Sequence, residues 1–246
     1  MKVTKAITVS FNPAKSDLDE IGRWLAEEKK ETGEGFKGNW DIIVKAYDRN
    51  CMAVLLENNI AVGFAIWYQY EFRARIDIFC IKQSRRKNGL GTILDAAVLY
   101  HLKHKEKLAI DLQCEPPESE SFWRKEGFVD FPFPEKQSPL HNLWLCKVIV
   151  PTADLSVLNV KGTVIALWNV EPYMAKTHHP DPKWTWQINN KVNSDELILP
   201  VVFPCQSDWQ VQLIRDGNVT ESKKAKYFNN GNSYFDRFLI ITSLTP

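Results

Sequence analysis

Residues 85–106 read "RRKNGLGTILDAAVLYHLKHKE". Arg85, Arg86, Lys87 and Asn88 lead into two glycines, Gly89 and Gly91, and an apolar series at helical spacing follows at once. In front stands "ARIDIFCI" (residues 74–81), whose branched and aromatic residues read as a strand. A strand that hands over to a helix through glycines makes a turn with a chemical use. The helix N-terminus carries unpaired N–H groups and a partial positive charge. Glycine lets that backbone approach an anion with no Cβ in the way. The stretch therefore reads as a cradle for a phosphate or pyrophosphate, rimmed by basic side chains. It is not a P-loop, since no Gly-Lys-Ser or Gly-Lys-Thr follows, and it lacks the three-glycine dinucleotide fingerprint. The plainer alternatives are glycines that admit close helix packing and charges that are merely solvated.

Working outward, "AITVSF" (6–11) reads as a strand, and "KSDLDEIGRWLAEEKKE" (15–31) as a helix with Ser16 at its N-cap and Leu18, Ile21, Trp24 and Leu25 on one face. "NWDIIVKAYDR" (39–49) reads as a second, shorter helix. "CMAVLLENN" (51–59) and "IAVGFAIWYQYE" (60–71) read as two strands about an Asn58-Asn59 turn. Downstream come the strand "LAIDLQCE" (108–115), a short helix in "PESESFWRKEG" (117–127) and the strand "NLWLCKVIV" (142–150). Strands alternating with helices predict an α/β domain over residues 1–150. Past Pro151 the pattern changes to short β-like runs, "GTVIALWNV", "KWTWQI", "ELILPVVF", "WQVQLIR" and "YFDRFLIIT", divided by prolines, asparagines and the turn "RDGN". They predict a small all-β domain, sandwich or barrel, over residues 151–246.

Arg86-x-x-Gly89-x-Gly91, set between a strand and a long helix, resembles the acyl-CoA motif of the GNAT superfamily of N-acetyltransferases. "ESESFWRKEGFVDF" is similar to that family's short helix ending in a Gly-Phe step, here Gly127-Phe128, and "AVGFAIW" looks like its third strand. The element order up to about Val150 also matches. The resemblance implies a mixed, mostly antiparallel sheet flanked by helices, in which strands 75–81 and 108–115 part near their C-terminal ends. It implies acetyl-CoA as cosubstrate. The pantetheine arm would pair with the main chain around Phe79 and Ile81. The pyrophosphate would rest on the amides of Lys87, Asn88, Gly89, Leu90, Gly91 and Thr92, with Arg86 at the rim. Ser119 and Trp123 would line the acyl end. The implied reaction is direct attack of a primary amine on the thioester in a ternary complex. The sequence departs from the family's pattern in three places. Trp123 stands where a proton-donating Tyr is usual, Pro116 where an Asn is usual, and Arg75 where some members carry a Glu base. General acid catalysis contributes about 10²–10⁴-fold, but a thiol of pKa near 8.5 leaves tolerably without it. Asp77, Glu71, Tyr70 and Tyr68 are the candidate bases and acids. By simple alternation Asp77 shares a strand face with Arg75 and Phe79. An ion pair of Asp77 with Arg75 or Arg73 is the structural alternative.

The rest of the composition narrows the class. The 246 residues allow a core without staples, and a formal net charge of +1 gives no bulk sign of a nucleic-acid partner. No apolar run approaches the roughly 20 residues of a membrane span, and the first residues lack a signal peptide's apolar core. Five scattered cysteines without a Cys-x-x-Cys pair signal neither zinc nor a disulfide framework. No metal is expected at His178, His179 and Asp181. A reduced, cytoplasmic protein is the expectation. Trp184 and Trp186 alternate onto one strand face, either as core or as a stacking platform. Two functions stay open. One is an N-acetyltransferase for an amine on a small molecule or peptide, with a β-domain that shapes the acceptor site or a homodimer. The other is a catalytically weak scaffold that binds acyl-CoA, or a protein or carbohydrate through the β-domain.

Overall fold

Strands β1 (Ile7–Ser10), β2 (Met52–Glu57), β3 (Ile60–Gln69) and β4 (Arg73–Ile81) form an antiparallel meander in the computed structural model, which describes residues 6–133, 143–157 and 161–245. β5 (Ala109–Cys114), β6 (Val129–Asp130) and β7 (Leu143–Val148) complete a sheet ordered β1-β2-β3-β4-β5-β7-β6. The β2–β3 hairpin turns through Asn58 and Asn59, with φ of 51° and 62°. Both central residues are thus left-handed, as a two-residue hairpin turn needs, and asparagine tolerates that state. This first unit comprises Met1–Val129 with Asn142–Ile149, and a second comprises Asp130–His141 with Val150–Pro246.

Helices cover both faces of the first sheet. α1 (Lys15–Thr32) and α2 (Trp40–Asp48) bury Leu18, Ile21, Trp24, Leu25 and Ile43 against Val54, Phe64, Ile66 and Ile78. The N-cap of α1 is Ala14, one residue ahead of Lys15, so Ser16 lies inside the first turn. There the Asp17 carboxylate accepts the Ala14 N–H at 2.8 Å, so a charged acceptor at the third helical position substitutes for a capping hydroxyl. On the opposite face α3 (Leu90–His104) buries Leu90, Leu94, Val98 and Leu102 against Leu55, Ala65, Trp67, Ile76 and Ile110. α4 (Glu120–Lys125) adds Trp123 to the same cluster. Fully burying one such aliphatic side chain contributes about 1.5–3 kcal/mol.

The second unit holds two antiparallel sheets. One is ordered β12 (Asn218–Lys224), β11 (Gln210–Arg215), β8 (Thr163–Leu167), β9 (Trp184–Ile188). The other runs β10 (Glu196–Pro204), β14 (Phe238–Ser243), β13 (Ser233–Phe235). Trp186, Trp209, Val211, Val201, Leu239 and Ile241 belong to one core between them. Trp184 stacks on Trp209 with centroids 5.3 Å apart, so the tryptophan stripe is packing against that core. "YFDRFLIIT" is two strands rather than one, because the chain reverses at Asp236-Arg237 with Arg237 at φ 58°. A short helix, α5 (Pro172–Thr177), stands where no helix was expected, opened by Pro172, whose fixed φ suits a first helical position.

Candidate functional site

β4 and β5 run parallel, unlike the pairs on either side of them. Their register starts with Arg73 opposite Ala109 and ends with Ile76 opposite Leu112. Beyond that rung β4 follows β3 as far as Ile81, and β5 follows β7 as far as Cys114. The two strands therefore part after Ile76 and Leu112, and the main chain from Asp77 to Ile81 faces the opening. A polar backbone edge left without a strand partner is a ready binding surface for another amide-bearing chain.

A bulge marks the same spot. Ile66 lies opposite Ile78 and Trp67 opposite Ile76, so Asp77 is the extra residue of β4. Plain alternation fails here, and the bulge corrects the expected face. Phe79 belongs with the α3 cluster, its ring 5.1 Å from that of Trp123 and 5.6 Å from that of Phe122. Asp77 looks the other way, into a cleft of about 360 Å³ shared with Lys45, Arg49, Cys51 and Tyr68. Partial burial raises the Asp77 carboxyl above its ordinary range, and Arg75 pulls against that shift. The Tyr68 hydroxyl is also raised, first by burial and then by the charge of Asp77. Tyr70 and Glu71 lie outside the cleft lining. Tyr70 stacks on the Arg73 guanidinium at 3.6 Å, and the carbonyls of Tyr70 and Glu71 accept from Lys107 Nζ at 2.7 and 2.8 Å.

At the other end of β4 the chain turns into α3. Lys87 and Gly89 hold left-handed conformations, φ 63° and 75°, and Gly89 needs its freedom for that turn. Gly91 needs space instead, since a Cβ there would stand 3.1 Å from the Phe122 ring. Leu90 is buried and anchors the first turn, while Lys87, Asn88 and Gly89 are exposed. Arg86 donates from Nε to the Ile81 carbonyl at 2.9 Å, laying its head along the end of β4. Arg85 is tied to Glu57. The Asn88 amide closes the turn on the Arg85 and Arg86 carbonyls. Thr92 Oγ1 donates to Glu126 at 2.6 Å. Ser119 Oγ donates to the Pro116 carbonyl at 2.7 Å and lies 3.3 Å from Cys114 Sγ, at the free end of β5. Trp123 is 5% exposed and touches Phe79, Phe122 and Phe128, so it sits in the core. The opening between β4 and β5, with a left-handed glycine ahead of a free helix N-terminus, fits a long ligand that ends in an anion.

Two features escaped the sequence reading. Asp111 on β5 receives Arg73 at 2.6 Å and Arg75 at 2.9 Å, and the carboxylate is fully buried. Ion pairing of these arginines was expected, but with Asp77. A carboxylate in an apolar strand, with two arginines in a neighbouring one, was the available signal. Asp95 on α3 is 1% exposed, and its Oδ1 has no hydrogen-bond partner among the described residues. Burial pushes its carboxyl up to about 7, with Lys147 opposing and Glu126 adding. Among the described residues no three His, Cys, Asp or Glu side chains gather as a metal site, and His178 bonds to Thr177. No helix among the described residues is long and apolar enough to cross a membrane.

Residues 18–128 match the model of the acetyltransferase (GNAT) family. No curated protein matches the chain. Among solved structures, Ard1 from Thermoplasma volcanium is 21% identical and covers 59% of this chain and 99% of its own, with a TM-score of 0.48. An aminoglycoside 6'-N-acetyltransferase complexed with coenzyme A is 15% identical over 61% of this chain and 99% of its own, TM-score 0.49. PaiA N-acetyltransferase from Thermoplasma acidophilum, in complex with coenzyme A, is 13% identical over 58% of this chain and 99% of its own, TM-score 0.47.

Proposed function

We propose, from the match of residues 18–128 to the model of the acetyltransferase (GNAT) family, that the N-terminal unit transfers an acetyl group from acetyl-CoA to a primary amine. The observation that carries this reading is the parting of β4 from β5 after Ile76 and Leu112, directly ahead of the Gly89–Gly91 helix start. The open main chain from Asp77 to Ile81 would hold the pantetheine amides, and the amides from Lys87 to Thr92 would hold the pyrophosphate. Lys87 is exposed for a charge-assisted contact, and Arg86 reaches the same rim. Ser119, Phe79 and Trp123 would flank the arm on the α3 side of the sheet, and the thioester would pass through the opening to the cleft of Asp77 on the other face. Bound acetyl-CoA supplies an activated thioester carbonyl. The acceptor nitrogen bonds to the acetyl carbon as the C–S bond breaks, one N–H proton passing to Asp77 and the electron pair leaving on the thiolate. Asp77 suits that part because its raised carboxyl is a stronger base than an ordinary carboxylate. Tyr68, in the same cleft with its proton firmly held, would donate a hydrogen bond to the departing thiolate, and the proton taken up by Asp77 would return to that sulfur or pass to solvent. The β-unit would have a separate role, in acceptor choice or assembly.

A weakly catalytic acyl-CoA binder is the second reading, favoured by Trp123, whose buried indole has no acidic proton to give. Thermal unfolding with acetyl-CoA, followed by an amine screen, separates the readings. Ligand at 100 times its Kd adds about 2.7 kcal/mol, or roughly 5–10 °C for a chain of this size. The shift should disappear in Gly91→Glu, a variant checked for its own cooperative transition. Stabilisation with turnover supports the transferase. Stabilisation without turnover supports the binder, and no stabilisation of wild type refutes both.

A further inference from the structure

We infer that the acceptor is an amine that also carries a carboxylate, held by Lys45 of α2 and by Arg49, the residue that caps that helix; the inference rests on the transferase reading above. Both side chains line the cleft that receives Asp77 and Tyr68. Both are exposed, and neither makes an ion pair among the described residues. The other arginines of this unit are engaged: Arg23 with Glu20, Arg85 with Glu57, Arg124 with Glu120, Arg73 and Arg75 with Asp111, and Arg86 with the Ile81 carbonyl. Lys45 lies in the last turn of α2 and Arg49 is the residue that caps its C-terminus, so two like charges face one cleft at a mutual electrostatic cost. An anion between them removes that cost and gains the fork of Arg49. Asp77 is the one carboxylate in the cleft lining, and Tyr68 and Cys51 hold their protons there, so the cleft is net positive. A positive cleft lowers the pKa of a nearby ammonium, which frees the amine lone pair for attack. It also repels polyamines. About 360 Å³ is at the small end of ligand sites, fitting an amino acid or the first residues of an acidic peptide.

Cys51 gives a reading that needs no catalysis. It lines the cleft and is half-buried, while the other four cysteines are buried. The rate of its alkylation by iodoacetamide is followed by peptide mass, with added 4-aminobutyrate, 4-aminobutyramide or 1,4-diaminobutane. These three share a length and differ in charge. Protection by the acid at about tenfold lower concentration than by the diamine is expected, since tenfold corresponds to the roughly 1.4 kcal/mol that two partly exposed charge contacts supply. Lys45→Gln with Arg49→Gln should level the three. Equal protection, strongest protection by the diamine, or no protection by any of them overturns the inference. None of these outcomes depends on acetyl-CoA, so failure here leaves the transferase reading standing. Loss of acetyl-CoA stabilisation with the acid still protective would break the transferase reading instead.

Discussion

Asp95→Asn is the substitution whose effect can be worked furthest from the structure. Asp95 lies on the buried face of α3, 1% exposed, with Oδ1 unpartnered among the described residues. Lys147 attracts its charge and Glu126 repels it, and burial outweighs both, lifting the carboxyl from 3.8 to about 7. The folded state thus keeps this proton across a window in which the unfolded chain has released it. Stability then falls as pH rises from about 4 to about 7, and is flat in this contribution on either side. At 1.36 kcal/mol per pH unit the whole loss comes to roughly 4 kcal/mol, a ceiling because water and relaxation soften a buried charge. Asparagine keeps the shape and never ionises. Urea unfolding of wild type and variant at pH 4.5, 6 and 8 gives the comparison. The variant should gain on wild type by about 2–4 kcal/mol between the lowest and highest pH. Parallel stabilities at all three values would refute the argument, because they would mean that Asp95 ionises at no cost. A variant that loses ground at high pH would reverse its sign and point to a salt bridge with Lys147.

Two further outcomes follow from the same residues and their neighbours. Asp77→Asn should cut turnover by about 10²–10⁴-fold while leaving acetyl-CoA stabilisation intact; wild-type kcat/KM should fall as pH drops through a value above the ordinary carboxylate range, and the residual rate of the variant should lack that inflection. Asp111→Ala strips two arginines of a fully buried partner and should cost about 3–5 kcal/mol in chemical denaturation, whereas a change under about 1 kcal/mol would show that the arginines find other partners.

The main strands and helices of the first unit were legible because each hydrophobic pattern has one period, whereas short α5 and the reversal at Asp236-Arg237 in the second unit carry no such period. α3 repeats every three to four residues, and the Asn58-Asn59 turn announces itself by residue type. The glycine turn ahead of α3 was legible because its conformation is written in Gly89. What stayed hidden depends on one extra residue or on distant pairs. The bulge at Asp77 leaves no mark in the composition of β4, yet it sends Phe79 and Asp77 to opposite faces. The pairing of Arg73 and Arg75 with Asp111 joins residues more than thirty positions apart, so it needs the β4–β5 register before it can be seen. The cleft was missed for the same reason: only the packing of α2 on β3 and β4 brings Lys45 and Arg49 beside Tyr68 and Asp77.

Asp111 also sets a length. It stands opposite Arg75, one rung before the last pair that β4 and β5 share, and it grips Arg73 a further two residues back. A split plank keeps splitting unless something is driven through it behind the crack. The two guanidinium groups and one carboxylate are that rivet, and Trp144 of the next strand lies 4.7 Å from the Arg75 guanidinium, fastening a third board. Each rung lost would lengthen the opening by about 3.3 Å, twice over if both arginines let go. The depth to which a ligand can enter between the strands is therefore held from behind the last shared rung, by three charges.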